Sequence, residues 1–236
     1  MAGDYLPVMA DAVLLDWEGL LTDTTEGRRA AIALALAAEG VAVDEDAYAD
    51  RFAGRSLRSI VASALEWRAA DDALVELVTL KAQRELATRL AHGFVLEPDA
   101  IRFVEHAQLR APVAIVTTAG RDETNAALGL AGLRDSFSAI VSADDVPGDA
   151  PSRVQFDAAL AHLERRRAGR LARERVLVLA STRPAILAAR EAGVRTIAVG
   201  APAHVAVEAD GAIGSLARAT LDSLDSLVGI PTDRLA

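Results

Sequence analysis

Short apolar runs, each stopped by a polar or turn residue, recur along this chain with helical segments between them, and this alternation constrains the fold more than any other feature. "AVLLD" (Ala12–Asp16), "VAIVTT" (113–118), "AIVSADD" (139–145), "VLVLAST" (176–182) and "RTIAVG" (195–200) read as buried parallel strands. The segments "DETNAALGLAGL", "SRVQFDAALAHLERRR" and "RPAILAAREAG" have helical spacing, the last closed by Gly193. Strands alternating with helices predict an α/β fold with a doubly wound parallel sheet, whose ligands sit beyond the carboxyl ends of the strands. Residues that terminate strands are therefore the ones to examine.

Residues 28–90 break the alternation. The stretch is helical throughout and follows the first strand, so it is expected to form an all-helical cap over that strand's carboxyl end, with 1–27 and 91–236 forming the α/β core. At 236 residues and 52% hydrophobic the chain can bury a full core. The formal net charge of −9 repels nucleic acid and anionic membrane surfaces, so neither is an expected partner. There is no cysteine, hence no disulfide framework and no thiolate metal site. The N-terminus carries early acids rather than a basic segment before its apolar run, and no run is long enough to span a bilayer; the cytoplasm is the expected location. "ERRRAGRLARER" (164–175) is the densest charge run and reads as a solvated helix face or, failing that, a surface for a protein partner. Lys81 is the one lysine in the chain, so chemistry that needs a lysine must use it.

The first strand ends in two carboxylates, Asp16 and Glu18, either side of Trp17, with Gly19 at a sharp turn. "LLDWEGLLTDT" resembles the first motif of the haloacid dehalogenase (HAD) superfamily, D-x-D-G-T-x-x-D after an apolar strand. "GRSLRSIV" resembles the cap motif of its helical-cap subfamily I, which includes the phosphoglycolate phosphatases and β-phosphoglucomutases, and "VAIVTTAGRDETNAALGLAGLRDSFSAIVSADDV" follows the core. The resemblance covers nearly the whole chain and implies a HAD-like Rossmannoid core. It further implies that Asp16 is the nucleophile toward phosphorus and that Glu18, in the second Asp's place, is the general acid. Thr117, with Thr118 beside it, would hydrogen-bond the phosphoryl group, with Gly19 at the phosphate turn. Leu20 replaces the usual Thr, and Asp23 and Thr24 match the end of the motif or cap the following helix. The substrate implied is a small phosphorylated metabolite, and the cofactor implied is Mg²⁺, held by the nucleophile, a backbone carbonyl and acids after the fourth strand.

Two further motifs depart from the pattern. Relatives carry Lys before a Pro where "GDAPSRVQF" has Ala150 before Pro151; Lys81 lies in the cap, and Arg153 is the nearest cation, either reaching the phosphate or staying on the surface. Relatives end the fourth strand in acids where "VLVLASTRP" has Ala180 and Ser181, with no acid until Glu191. Mg²⁺ would then depend on Asp16 and Glu18 unless Asp144, Asp145 or Asp149 moved in, a poor set for a cation that prefers near-octahedral oxygen ligation. A phosphate charge about 4 Å from Asp16 is repelled by roughly 4 kcal/mol per pair of unit charges at an effective dielectric of 20. Uncompensated, that is about a thousandfold in rate, at about 1.36 kcal/mol per tenfold. The expectation is impaired or lost phosphatase chemistry, leaving a pseudoenzyme that binds a metabolite or protein. The alternatives are an active phosphomonoesterase with an atypical metal site, then a metal-independent dehalogenase, which tolerates Ser181 but also uses the missing lysine. Arg55, Arg58 and His92 are the cap residues that could reach a ligand, and Trp17 packs either at the mouth of the site or in the core.

Overall fold

The computed structural model describes residues 10–52, 54–90, 96–146 and 151–230. Five strands lie where the apolar runs place them: β1 Ala12–Asp16, β2 Val113–Val116, β3 Ala139–Val141, β4 Val176–Ala180 and β5 Arg195–Val199. A sixth, β6 Gly211–Ile213, pairs with β5 at the sheet edge; its three small or aliphatic residues carry no run long enough to mark a strand. All pairings are parallel and the order is β3-β2-β1-β4-β5-β6. The chain winds outward from β1 to β3, then returns to lay β4 against the other side of β1. The winding reverses between β1 and β4, and the carboxyl end of that reversal is where a sheet of this kind opens a crevice.

Four strands stop short of the expected runs, β5 by the single residue Gly200, and for the others the reason is local. Ser142 donates from both its backbone N–H and its hydroxyl to Asp145 Oδ2, at 2.7 and 2.6 Å, which turns Ala143–Asp145 into a 3₁₀ turn and ends β3 at Val141. β2 and β4 likewise end at Val116 and Ala180, leaving Thr117, Thr118, Ser181 and Thr182 as loop residues at the carboxyl edge.

Residues after β1 form four helices: α1 Thr25–Ala37, α2 Glu45–Arg51, α3 Leu57–Leu65 and α4 Asp72–Leu90. α1 begins at Thr25, ahead of Arg28, because the Asp23 carboxylate accepts the Thr25 N–H at 3.0 Å. These helices pack around an apolar cluster of their own that runs from Ala31 to Leu86 and includes Ile32, Leu36, Ile60, Leu65 and Val78. The core helices are α5 Pro98–Ala107, α6 Arg121–Leu130, α7 Arg153–Arg167, α8 Arg183–Glu191, α9 Ala203–Ala206 and α10 Leu221–Val228.

Strand β1 shows why its sequence is apolar without alternation. Val13 and Leu15 face one cluster with Phe103 and Val104 of α5 and Leu221 and Leu224 of α10. Ala12 and Leu14 face the other, with Phe156 and Leu160 of α7 and Ile186 of α8. Each such aliphatic side chain contributes about 1.5–3 kcal/mol on burial. Trp17 is fully buried in the first cluster, so it is a core residue rather than a rim of the site. The arginine-rich stretch is largely paired within the chain: Arg167 and Arg175 approach Asp11, and Arg173 approaches Asp157. Among the described residues no helix is long and apolar enough to cross a membrane.

Candidate active site

Asp16 ends β1 level with Val116 of β2, and its side chain is buried at the crevice. The Thr182 hydroxyl, just past β4, donates to Asp16 Oδ2 at 3.4 Å. Burial above all, and then the nearby Glu18 carboxylate, push the Asp16 carboxyl up to about 7 against the hydrogen bonds that favour its charged form; no cation is among the main contributors. Gly19 adopts a left-handed φ of +70°, and a Cβ there would overlap Ser181 Oγ. This close approach lets the Ser181 hydroxyl donate to the Glu18 carbonyl at 2.7 Å, tying the β1 and β4 loops together.

Glu18 is equally buried, and one oxygen of its carboxylate takes two contacts. Thr24 Oγ1 donates to Glu18 Oε1 at 2.5 Å, so Thr24 sits at the N-cap of α1 yet spends its hydroxyl on Glu18. The same oxygen lies 3.8 Å from Nη1 of Arg28, which is itself 3.7 Å from Glu123 Oε1 on α6. Both are ion pairs at charge–charge rather than hydrogen-bond distance, and the Arg28 side chain is only 3% exposed. Burial pulls its pKa down, but Glu18 and Glu123 outweigh that and leave it above the ordinary arginine value, with Tyr48 of α2 facing the same guanidinium. Glu123 is held above the usual carboxylate range by burial, against the pull of Arg28.

Thr117 is buried at the end of β2, where its hydroxyl accepts the Ala119 N–H at 3.0 Å; Thr118 beside it is buried too. Gln155 of α7, fully buried, donates to the carbonyls of Thr117 and Ser142 at 2.9 and 3.1 Å and so holds the ends of β2 and β3 in register. The structure therefore brings Asp16, Glu18, Gly19, Thr117, Thr118 and Ser181 to one edge of the sheet, with Ala180 the last residue of β4 behind them. It does not bring the candidate cations. Arg153 is exposed and pairs with Asp157 at 3.2 Å along α7, so its reach toward a phosphate is not realised. Arg58 is exposed and pairs with Asp72; Lys81 lies 3.7 Å from Glu39 within the helical bundle. Arg55 turns its guanidinium to Ser59 Oγ at 2.6 Å, and only its backbone carbonyl meets the site. His92, Asp149 and Ala150 lie outside the described residues.

These residues do not fit Mg²⁺. Among the described residues no group of three or more His, Cys, Asp or Glu could hold a metal ion. The Glu18 carbonyl accepts from Ser181, Glu18 Oε1 is taken by Thr24 and Arg28, and β4 ends in Ala180 followed by Ser181 and Thr182, which supply a methyl and two hydroxyls where a hard cation needs carboxylates. Asp144 and Asp145 are engaged on the loop after β3: Asp144 accepts the Arg121 N–H at 2.7 Å, while Asp145 accepts from Ser142 and pairs with the Arg121 guanidinium.

Arg28, Glu123, Tyr48 and Gln155 were not among the candidates drawn from sequence. A signal for two of them exists: Arg28 lies on the buried stripe of α1 with Ala31, Ile32, Ala35 and Leu36, and Gln155 begins that of α7 with Phe156, Ala159, Leu160 and Leu163. A charged or amide side chain on an apolar stripe is a buried polar group that needs partners.

The sheet order, the helical bundle inserted after β1 and the strand-ending carboxylate at the winding reversal define a Rossmann-like α/β protein of the capped type. The family model for haloacid dehalogenase-like hydrolases matches residues 13–199, and the chain belongs to that family. Its fold is similar to that of CbbY from Rhodobacter sphaeroides in complex with phosphate, with a TM-score of 0.79 at 24% identity over 92% of this chain and 100% of that one. It is also similar to β-phosphoglucomutase from Clostridium difficile, with a TM-score of 0.81 at 14% identity over 94% and 98% of the two chains. A hydrolase from Pseudomonas syringae matches with a TM-score of 0.75 at 22% identity over 92% and 99%. No curated protein matches the chain.

Proposed function

We propose that this HAD-like protein descends from a phosphatase of small phosphorylated metabolites and no longer carries out Mg²⁺-dependent phosphoryl transfer, serving instead by binding a metabolite or a protein partner. The likeness in fold to β-phosphoglucomutase and to CbbY, whose structure holds phosphate, supports sugar phosphates as the ancestral substrates. One observation carries the loss: Ser181 Oγ donates to the Glu18 carbonyl at 2.7 Å, a hydroxyl closing the loop where an acid would be needed to anchor a metal. What this chain's own residues do follows from that. Asp16, held up to about 7 by burial and Glu18 with no cation among the main causes, is half protonated near neutrality and a weak nucleophile toward an anionic phosphate. Glu18 is held at Oε1 by an ion pair to Arg28 and by the Thr24 hydroxyl, which fixes the orientation of its carboxylate.

The test is hydrolysis of p-nitrophenyl phosphate and a panel of sugar and acid phosphates, with and without Mg²⁺, comparing wild type with Asp16→Asn. The proposal expects no turnover above the Asp16→Asn background in folded protein. Mg²⁺-dependent turnover abolished by the substitution would replace it with an active phosphomonoesterase built on an atypical site, and release of halide from 2-chloropropionate would replace it with a dehalogenase.

A further inference from the structure

Among the described residues, the buried cation of the crevice is Arg28 from the inserted bundle, and its partners come from both halves of the molecule. Arg28 extends from α1 to Glu18 on the loop after β1 and to Glu123 on α6, at 3.8 and 3.7 Å. Its Nη2 donates to the Arg55 carbonyl at 3.1 Å, on the loop between α2 and α3. That loop rests directly on the end of β4: Gly54 has φ +76°, and a Cβ there would come within 2.9 Å of the Thr182 Cβ. Thr182 in turn donates to Asp16. A continuous line of contacts therefore runs from the two carboxylates through Arg28, Arg55 and Gly54 to the residue beside Asp16.

We infer that Arg28 is an internal pin that locks the helical bundle shut over Asp16, an autoinhibitory contact in which the chain's own guanidinium occupies the anionic socket formed by Glu18 and Glu123. The socket is complete only when the bundle lies on the core, because Glu18 and Glu123 belong to the core while Arg28, the Arg55 carbonyl and Tyr48 belong to the bundle. Opening separates the guanidinium from both counter-ions, a loss of attraction that opposes the motion against the rehydration of the three charges. With the bundle in place Asp16 is buried, so a ligand reaches it when the bundle moves. The inference goes beyond the loss of phosphatase chemistry and does not depend on it, since its readout is motion rather than turnover.

The test is amide hydrogen exchange in wild type, Arg28→Met and Glu123→Gln, followed across the whole chain. The pin predicts exchange at least about tenfold faster in peptides covering 54–60 for Arg28→Met, a smaller acceleration in the same peptides for Glu123→Gln, and no change in β4 and α8. In Arg28→Ala, guanidinium chloride at about 20 mM should restore slow exchange where sodium chloride at equal strength does not. Unchanged exchange at 54–60, or acceleration spread evenly over the sheet, would overturn the inference. If Arg28→Met does not fold, Glu123→Gln decides it alone: acceleration confined to 54–60 supports the pin, and its absence rejects it.

Discussion

At Gly19 the backbone is left-handed, at φ +70°, and the space a Cβ would need is filled by Ser181 Oγ. Gly19→Ala should therefore cost about 2 kcal/mol in denaturant melts, and adding Ser181→Ala should recover the steric part while the backbone part remains. Asp16 gives a second prediction at this scale. Its carboxyl is pushed up to about 7 in the folded chain from an ordinary value of 3.8, chiefly by burial and then by the Glu18 carboxylate. The stability this confers is complete below about pH 3.8 and is lost as the pH rises through about 7. Asp16→Asn escapes that loss, so the variant should match wild type near pH 4 and exceed it at pH 8 by an amount on the order of 4 kcal/mol. Parallel melts across that range read the difference directly. Asp16, Glu18, Gly19 and Ser181 were legible in sequence because they terminate strands within one short motif each. Glu123 was not, because its meaning lies in a contact between α1 and α6 that no local spacing encodes, and Arg28 showed only its place on the apolar stripe of α1, not its partners.

Among the elements, α7 shows how a helix far along the chain sets the geometry of the crevice. Gln155 supplies both amide protons to the carbonyls that end β2 and begin the turn after β3. Gln155→Leu keeps the volume but leaves two buried carbonyls unpaired; it should cost about 1–3 kcal/mol and loosen amide protection at Thr117 and Ser142 more than at β5. Strand β1 makes the complementary case for packing. Leu14 is fully buried against α7 and α8, so Leu14→Ala should cost about 2–5 kcal/mol by thermal or chemical unfolding. Strands β1, β2 and β4 were readable because both faces of each are buried and the runs are continuously apolar, and β3 and β5 because short aliphatic runs end at turn residues. Their ends were read too long, since Thr117, Ser142 and Ser181 extend the apolar pattern while their hydroxyls turn the chain. β6 escaped because an edge strand of three residues needs no apolar run.

For the whole molecule, the alternation of strands and helices together with one helical interruption was enough to specify a capped α/β architecture, and the family match agrees. The interruption is also what closes the crevice, with Gly54 seated on Thr182 and Arg28 bridging to the core. The central claim is that the crevice is no longer a divalent-cation site, and titration of Mn²⁺ followed by electron paramagnetic resonance tests it most directly. Wild type should leave the free-ion signal undiminished up to millimolar concentrations, whereas an Ala180→Asp/Ser181→Asp variant, which restores carboxylates beside Asp16, should bind with an affinity lost again on Asp16→Asn. Tight binding by wild type that disappears in Asp16→Asn would contradict the account.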